Sequence, residues 1–146
     1  MENPPPYQPG EPEANSVDES RAKTGLGLDA NLGAALGYPI GIVAIIIFIM
    51  EKTNRFARFH ALQSILYHVL AVVVFVVLSI LITVLTMVLA AINDSLGCVG
   101  ILLWLVFLVV GLVYFAGLIF CAIKAYGGAW FKLPIIGNMA EKIVNK

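Results

Sequence analysis

The sequence predicts an all-α membrane protein with three transmembrane helices, a short C-terminal amphipathic interfacial helix and a disordered N-terminal tail. Composition is the first observation behind this: 60% of the 146 residues are hydrophobic and 12% are charged, with a mean hydropathy of +0.94, whereas soluble domains carry about 25% charged residues. The second is length. Three apolar segments, 30–50, 61–92 and 96–123, each reach the ~20 residues that carry a helix across ~30 Å of hydrocarbon.

The opening MENPPPYQPGEPEANSVDES is rich in Pro, Glu, Asn and Ser. Such a stretch buries too little apolar surface to offset the entropy of ordering, so residues 1–26 read as a disordered tail ahead of a single helical membrane domain, 27–146. It lacks the basic start and apolar core of a secretory signal. Pro4 to Tyr7, PPPY, formally fits a proline-rich ligand of WW-type modules, but short matches in such tails are common by chance and plain low complexity is the reading kept.

Asp29 stands where an N-cap of the first span belongs. Within that span Gly33, Gly37 and Gly41 recur every four residues, a side-chain-free stripe of the kind that lets helix backbones approach in lipid. Pro39 predicts a kink there. The second span offers a complementary small and polar face, His60, Ser64, His68, Ala71, Ser79, Thr83, Thr86 and Ala90. The two stripes are expected to pack on each other, with Ser64, Ser79 and Thr83 as polar contacts. The turn NDSLG, Asn93 to Gly97, makes spans two and three antiparallel neighbours.

After the third span Gly127 and Gly128 end the helix, and Tyr126, Trp130, Phe131 and Lys132 form an interfacial anchor. Pro134 opens the last helix, about 134–145, which places Ile135, Ile136, Met139 and Ile143 on one side and suits the membrane surface. Lys52, Arg55 and Arg58 lie between spans one and two, with Phe56 and Phe59 as further interfacial anchors, whereas the turn between spans two and three holds only Asp94. Positive charge marks the cytoplasmic side, so the expected topology puts the first loop and the C-terminus in the cytoplasm and the N-terminus outside.

The imidazoles are the pattern's unusual feature, since His68 lies eight residues, or ~12 Å of helix, beyond His60. Two readings stand: a hydrogen-bonding contact between helices, or a polar, proton-sensitive site, which intramembrane ionisable groups often form. Metal binding by two His on one helix needs i, i+4 spacing, and Cys98 and Cys121 stand ~35 Å apart on the third span, too far to bridge. No nucleophile with a base and an orienting acid is evident, so no enzyme activity, cofactor or metal is expected. A nucleic-acid partner would need clustered positive charge on a soluble face. The expected partners are the lipid bilayer and either a second copy or another membrane protein.

The junction EKTNRFARFHALQSI after an apolar span, and the closing pattern of Lys124, a glycine, an aromatic pair and Pro134, resemble a family of small prokaryotic multi-pass membrane proteins of unknown function. That family is similar to the Tic-twenty component of the chloroplast inner-envelope import machinery. The resemblance covers about 30–145, and Arg55 to Ser64 is its most specific part. It implies membrane-complex assembly or protein translocation, although the chloroplast members have four spans and three are counted here. The expectation is a non-enzymatic interaction or assembly subunit of the cytoplasmic membrane. The alternative is an oligomeric channel or translocation component with His60, Ser64 and His68 along a polar path.

Overall fold

A computed structural model describes residues 19–145 of the chain. PPPY and most of the expected tail lie outside the described residues, and residues 19–26 of that tail are described. Ser20 and Thr24 are buried, and Thr24 hydrogen-bonds Leu28 O through both its N–H and its hydroxyl. The described residues form helices α1 (Ala30–Gly37), α2 (Gly41–Met50), α3 (Arg55–Ile92), α4 (Val99–Tyr126) and α5 (Ile136–Val144), with a 3-10 turn at Asp94–Cys98. They divide into two compact units: the described part of Met1–Tyr67 with Leu118–Lys146, and His68–Gly117.

The expected first span is not one helix. Its backbone breaks at Tyr38–Pro39–Ile40, and α1 and α2 pack on each other as a helical hairpin. The glycines show the register: a Cβ on Gly33 would stand 3.1 Å from Ile47 Cδ1, and one on Gly37 would stand 3.3 Å from Ala44 Cβ. The stripe therefore receives α2 rather than α3, and Pro39 marks a reversal instead of a kink. At eight and ten residues, α1 and α2 are ~12 and ~15 Å long. Asp29 does occupy the N-cap position of α1, yet its carboxylate makes no cap bond and pairs with Lys23 Nζ at 2.7 Å.

Among the described residues two helices are long and apolar enough to cross a membrane, α3 with 38 residues and α4 with 28. Their lengths, ~57 and ~42 Å, exceed the ~30 Å thickness of a bilayer's hydrocarbon. Within His68–Gly117 they run antiparallel. Gly100 lies against Thr86, where a Cβ would come within 2.6 Å of Thr86 Cγ2, and Phe75 meets Phe107 and Tyr114 at centroid distances of 5.1 and 5.9 Å. Most other side chains of this unit are exposed Val, Leu and Ile.

The first unit holds the larger core. Phe59 and Leu62 of α3 pack on Ala140 and Val144 of α5, with Phe48, Leu66 and Trp130 around them. Because α5 buries Ile136, Gly137, Ala140 and Val144, its expected apolar face divides: Ile136 turns inward, while Ile135, Met139 and Ile143 form an exposed row. Trp130, Phe56 and Phe59, expected as anchors in the membrane interface, gather around the Trp130 ring, which lies edge-on to Phe56 at 5.4 Å and tilted against Phe59 at 5.3 Å.

The end of α4 sets the course of the segment that follows it. Gly128 N–H bonds Ala125 O and Ala129 N–H bonds Lys124 O, the paired bonds of a Schellman ending, with Gly128 at φ 77°. A Cβ there would also stand 2.6 Å from Ser20 Oγ. Gly128→Ala is expected to cost more than about 1 kcal/mol, read as a lower denaturant midpoint in detergent micelles, whereas Gly127→Ala, at an ordinary φ and with only van der Waals neighbours, costs less.

Candidate functional site

The polar residues at the start of α3 converge on one buried network in the first unit. Tyr38, His60, Gln63 and Ser64 are all wholly buried. Helical spacing brings His60, Gln63 and Ser64 to one face of α3, and the break after α1 delivers Tyr38 and the Gly37 carbonyl to it. The Schellman ending of α4 sends residues 129–133 across the same face.

The bonds assign the donors. His60 Nε2 lies 3.1 Å from Ala129 O, and a carbonyl only accepts, so Nε2 carries a proton. In the neutral ring Nδ1 then accepts from the Tyr38 hydroxyl at 3.0 Å. Gln63 Nε2 donates to Tyr38 Oη at 2.8 Å and to Phe131 O at 3.1 Å, while its Oε1 accepts from Leu133 N–H at 3.1 Å. Ser64 Oγ donates to Gly37 O at 2.8 Å, serving a carbonyl that the broken helix leaves over. Phe56 and Phe59 meet the imidazole edge-on at 4.6 and 5.0 Å. Three chain segments are joined by groups that an apolar surrounding makes costly to leave unpaired.

A second polar centre lies at the junction EKTN. Glu51 is wholly buried; its Oε1 accepts from Thr53 N–H, Thr53 Oγ1 and Asn54 N–H at 2.8, 2.8 and 2.9 Å, and its Oε2 accepts from Gly25 N–H at 2.6 Å. Asn54 caps α3, its Oδ1 accepting from Ala57 N–H at 2.9 Å, and its Nδ2 donates to Glu19 O at 2.8 Å. Burial alone would raise the Glu51 carboxyl, but bonds from Asn54, Thr53 and Gly25 outweigh it and hold the group below its ordinary value.

The remaining sequence-selected residues are dispersed. His68 is half-buried and edge-on to Tyr114 at 6.0 Å, so the two imidazoles have separate surroundings. Ser79 Oγ bonds Val76 O of its own helix at 2.8 Å, Thr83 is exposed, and Gly41 is half-buried as the first residue of α2. Lys52 is exposed, Arg55 bonds Asn145 Oδ1, Arg58 lies 5.7 Å over the Phe48 ring, and Lys132 pairs with Glu141 at 2.7 Å. Among the described residues no three His, Cys, Asp or Glu side chains group as a metal site.

Sequence reasoning did not single out Tyr38, Glu51, Asn54 or Gln63. Asn54 had a local signal, a capping residue directly before a helix, and Glu51 bonds Thr53 and Asn54 close by in sequence; Tyr38 and Gln63 depend on partners distant in sequence.

These features define a small helical membrane protein whose buried polar groups serve its own backbone. The chain belongs to the magnetosome magnetite crystal formation protein family, whose model matches residues 23–140 and so spans both polar centres. It is 38% identical over 121 residues to a UPF0132 membrane protein of Methanocaldococcus jannaschii, covering 82% of this chain and 93% of that one. A UPF0132 membrane protein of Archaeoglobus fulgidus is 35% identical over 113 residues, 77% of this chain and 92% of the relative. No solved structure matches.

Tyr38→Phe removes the hydroxyl that His60 Nδ1 and Gln63 Nε2 share and is expected to cost about 1–3 kcal/mol by denaturant titration. For Glu51 the sign follows from its lowered native value: its contribution is full above about pH 4.5, the ordinary value, and disappears as pH falls through the lowered one. Stability measured against pH should show this acid slope in the native chain and lose that component in Glu51→Gln.

Proposed function

We propose that the chain is a non-enzymatic assembly subunit of the cytoplasmic membrane, crossing it twice through α3 and α4, with its first unit on the cytoplasmic side. The observation that carries this reading is the division of charge and polarity. All nine Lys and Arg residues lie outside positions 68–117, where Asp94 is the single charged residue. Two crossings put every basic residue on one side, including Arg21 and Lys23, which three crossings would strand on the other. Positive charge favours the cytoplasm. The polar atoms of the first unit bind its own backbone and side chains, which suits a rigid platform better than a substrate site.

The family name refers to magnetite crystal formation, and the archaeal relatives are named only as membrane proteins. An organising role within a membrane assembly is compatible with both. A translocation role like that of the Tic-twenty component is the second reading, supported by the likeness of the EKTNRFARFHALQSI junction. It needs His60 and Ser64 on a water path, and both are wholly buried with partners inside the chain.

Cys98, in the turn between α3 and α4, is free and exposed, while Cys121 is buried. In intact spheroplasts a membrane-impermeant maleimide is expected to label Cys98, and Cys98→Ser should abolish labelling. Photoreactive residues at Val76 and Met139, both exposed, should then capture a second copy or one specific membrane protein, identified by mass spectrometry. Labelling of Cys98 only from the cytoplasmic side contradicts the orientation, and capture of lipid alone contradicts the assembly role.

A further inference from the structure

The outer face of the α1–α2 hairpin has no cover among the described residues: Leu32, Leu36, Ile42, Ile45, Ile46 and Ile49 are all exposed. No charged residue occurs from Ala30 to Met50. Water is an unfavourable surrounding for such a face, since each buried aliphatic side chain gains about 1.5–3 kcal/mol over an exposed one. A straight transmembrane passage is excluded by geometry, because the hairpin returns both ends to one level, with Gly37 against Ala44 at its closed end and Gly33 against Ile47 further down. Helices of ~12 and ~15 Å match about half of a ~30 Å hydrocarbon layer.

The closed end is built for an apolar surrounding. Irregular backbone is tolerated within a bilayer where protein satisfies it, and here Gly37 O receives Ser64 Oγ while Ile40 N–H reaches Leu36 O and Val43 N–H reaches Ile40 O. Ser64 lies nine residues after Arg55 in α3, ~14 Å along the helix, the hairpin's own length. The open end carries the charges, Lys23 before α1 and Lys52 and Arg55 after α2, as a headgroup boundary requires.

We propose that the hairpin is a one-leaflet insertion, a surface that fits the phospholipid acyl chains of the leaflet on the basic side and does not reach the opposite leaflet. This rests on the reading that α3 and α4 cross the membrane. Because α1 and α2 add cross-section to one leaflet and none to the other, the chain favours bilayers in which the basic-side leaflet is convex. Such curvature dependence is general for segments inserted into one leaflet.

The test uses the full chain with Cys98→Ser and Cys121→Ser, reconstituted into vesicles of phosphatidylglycerol and phosphatidylethanolamine. With Ala22→Cys and Lys52→Cys as separate single-cysteine variants, an impermeant maleimide should reach both from the same side, opposite to native Cys98 in a Cys121→Ser chain. A fluorophore on Ile46→Cys should be quenched by nitroxide on the acyl chains more strongly than by nitroxide on headgroups. In small sonicated vesicles the fraction of chains with position 52 outward should exceed that in large extruded vesicles severalfold, and Ile42→Gln with Ile46→Gln and Ile49→Gln should reduce this bias while helical circular dichroism persists. Labelling of positions 22 and 52 from opposite sides, headgroup-dominated quenching at position 46, or an orientation independent of vesicle size each overturns the proposal. Failure of the two-crossing reading looks different: positions 52 and 98 would then label from the same side.

Discussion

An apolar surrounding offers no water to a backbone group that has lost its helical partner, and the reversal at Tyr38–Pro39–Ile40 creates such groups in a stretch without a single charge. Much of the first unit answers that constraint. Ser64 takes the Gly37 carbonyl, and the Tyr38 side chain enters the junction between His60 and Gln63. The same His60 and Gln63 hold the carbonyls of Ala129 and Phe131 and the N–H of Leu133. One turn and a half of α3 thus fixes both the hairpin before it and the segment after α4. Gly137 adds a steric condition, since a Cβ there would meet Gln63 Oε1 at 2.8 Å and Lys132 Cβ at 2.7 Å.

The stretch EKTNRFARFHALQSI therefore has two jobs along its length. Its first residues, Glu51 and Asn54, gather the N–H groups of the loop between α2 and α3, the first turn of α3 and Gly25. Further along, His60, Gln63 and Ser64 donate to the carbonyls of Ala129, Phe131 and Gly37, and Gln63 Oε1 accepts the Leu133 N–H. The basic residues between them reach outward to Phe48 and to the C-terminal helix. Groups committed in this way to the chain's own backbone hold the first unit in shape.

Much of this architecture was legible in the sequence, for physical reasons that differ by element. The apolar runs of α3 and α4 announce themselves by length, the turn at Asn93 by its residue types, and the end of α4 by Gly127 and Gly128. The reversal at Pro39 was not legible: residues 30–50 have the length and polarity of a span, and Pro39 is as compatible with a kink as with a turn. Gly33 and Gly37 lie close against Ile47 and Ala44, but glycine spacing does not say which helix fills the space, and here the same segment folds back to fill it. Gln63 looked like one polar residue on a helix because its partners lie 25, 68 and 70 positions away. Asp29 had the right position for a cap, yet Lys23 beside it offered a full charge.

The hairpin is the claim on which the others depend, and a pair of cysteines reads it directly. In a straight helix positions 37 and 44 stand ~10 Å apart along the axis, whereas a Cβ on Gly37 lies 3.3 Å from Ala44 Cβ, close to the ~3.5–4.5 Å that a disulfide requires. With Cys98→Ser and Cys121→Ser as background, Gly37→Cys with Ala44→Cys should form an intramolecular disulfide on mild oxidation in native membranes. A pair that stays reduced in folded protein, with both thiols recovered by alkylation, would contradict the hairpin and restore a continuous first span.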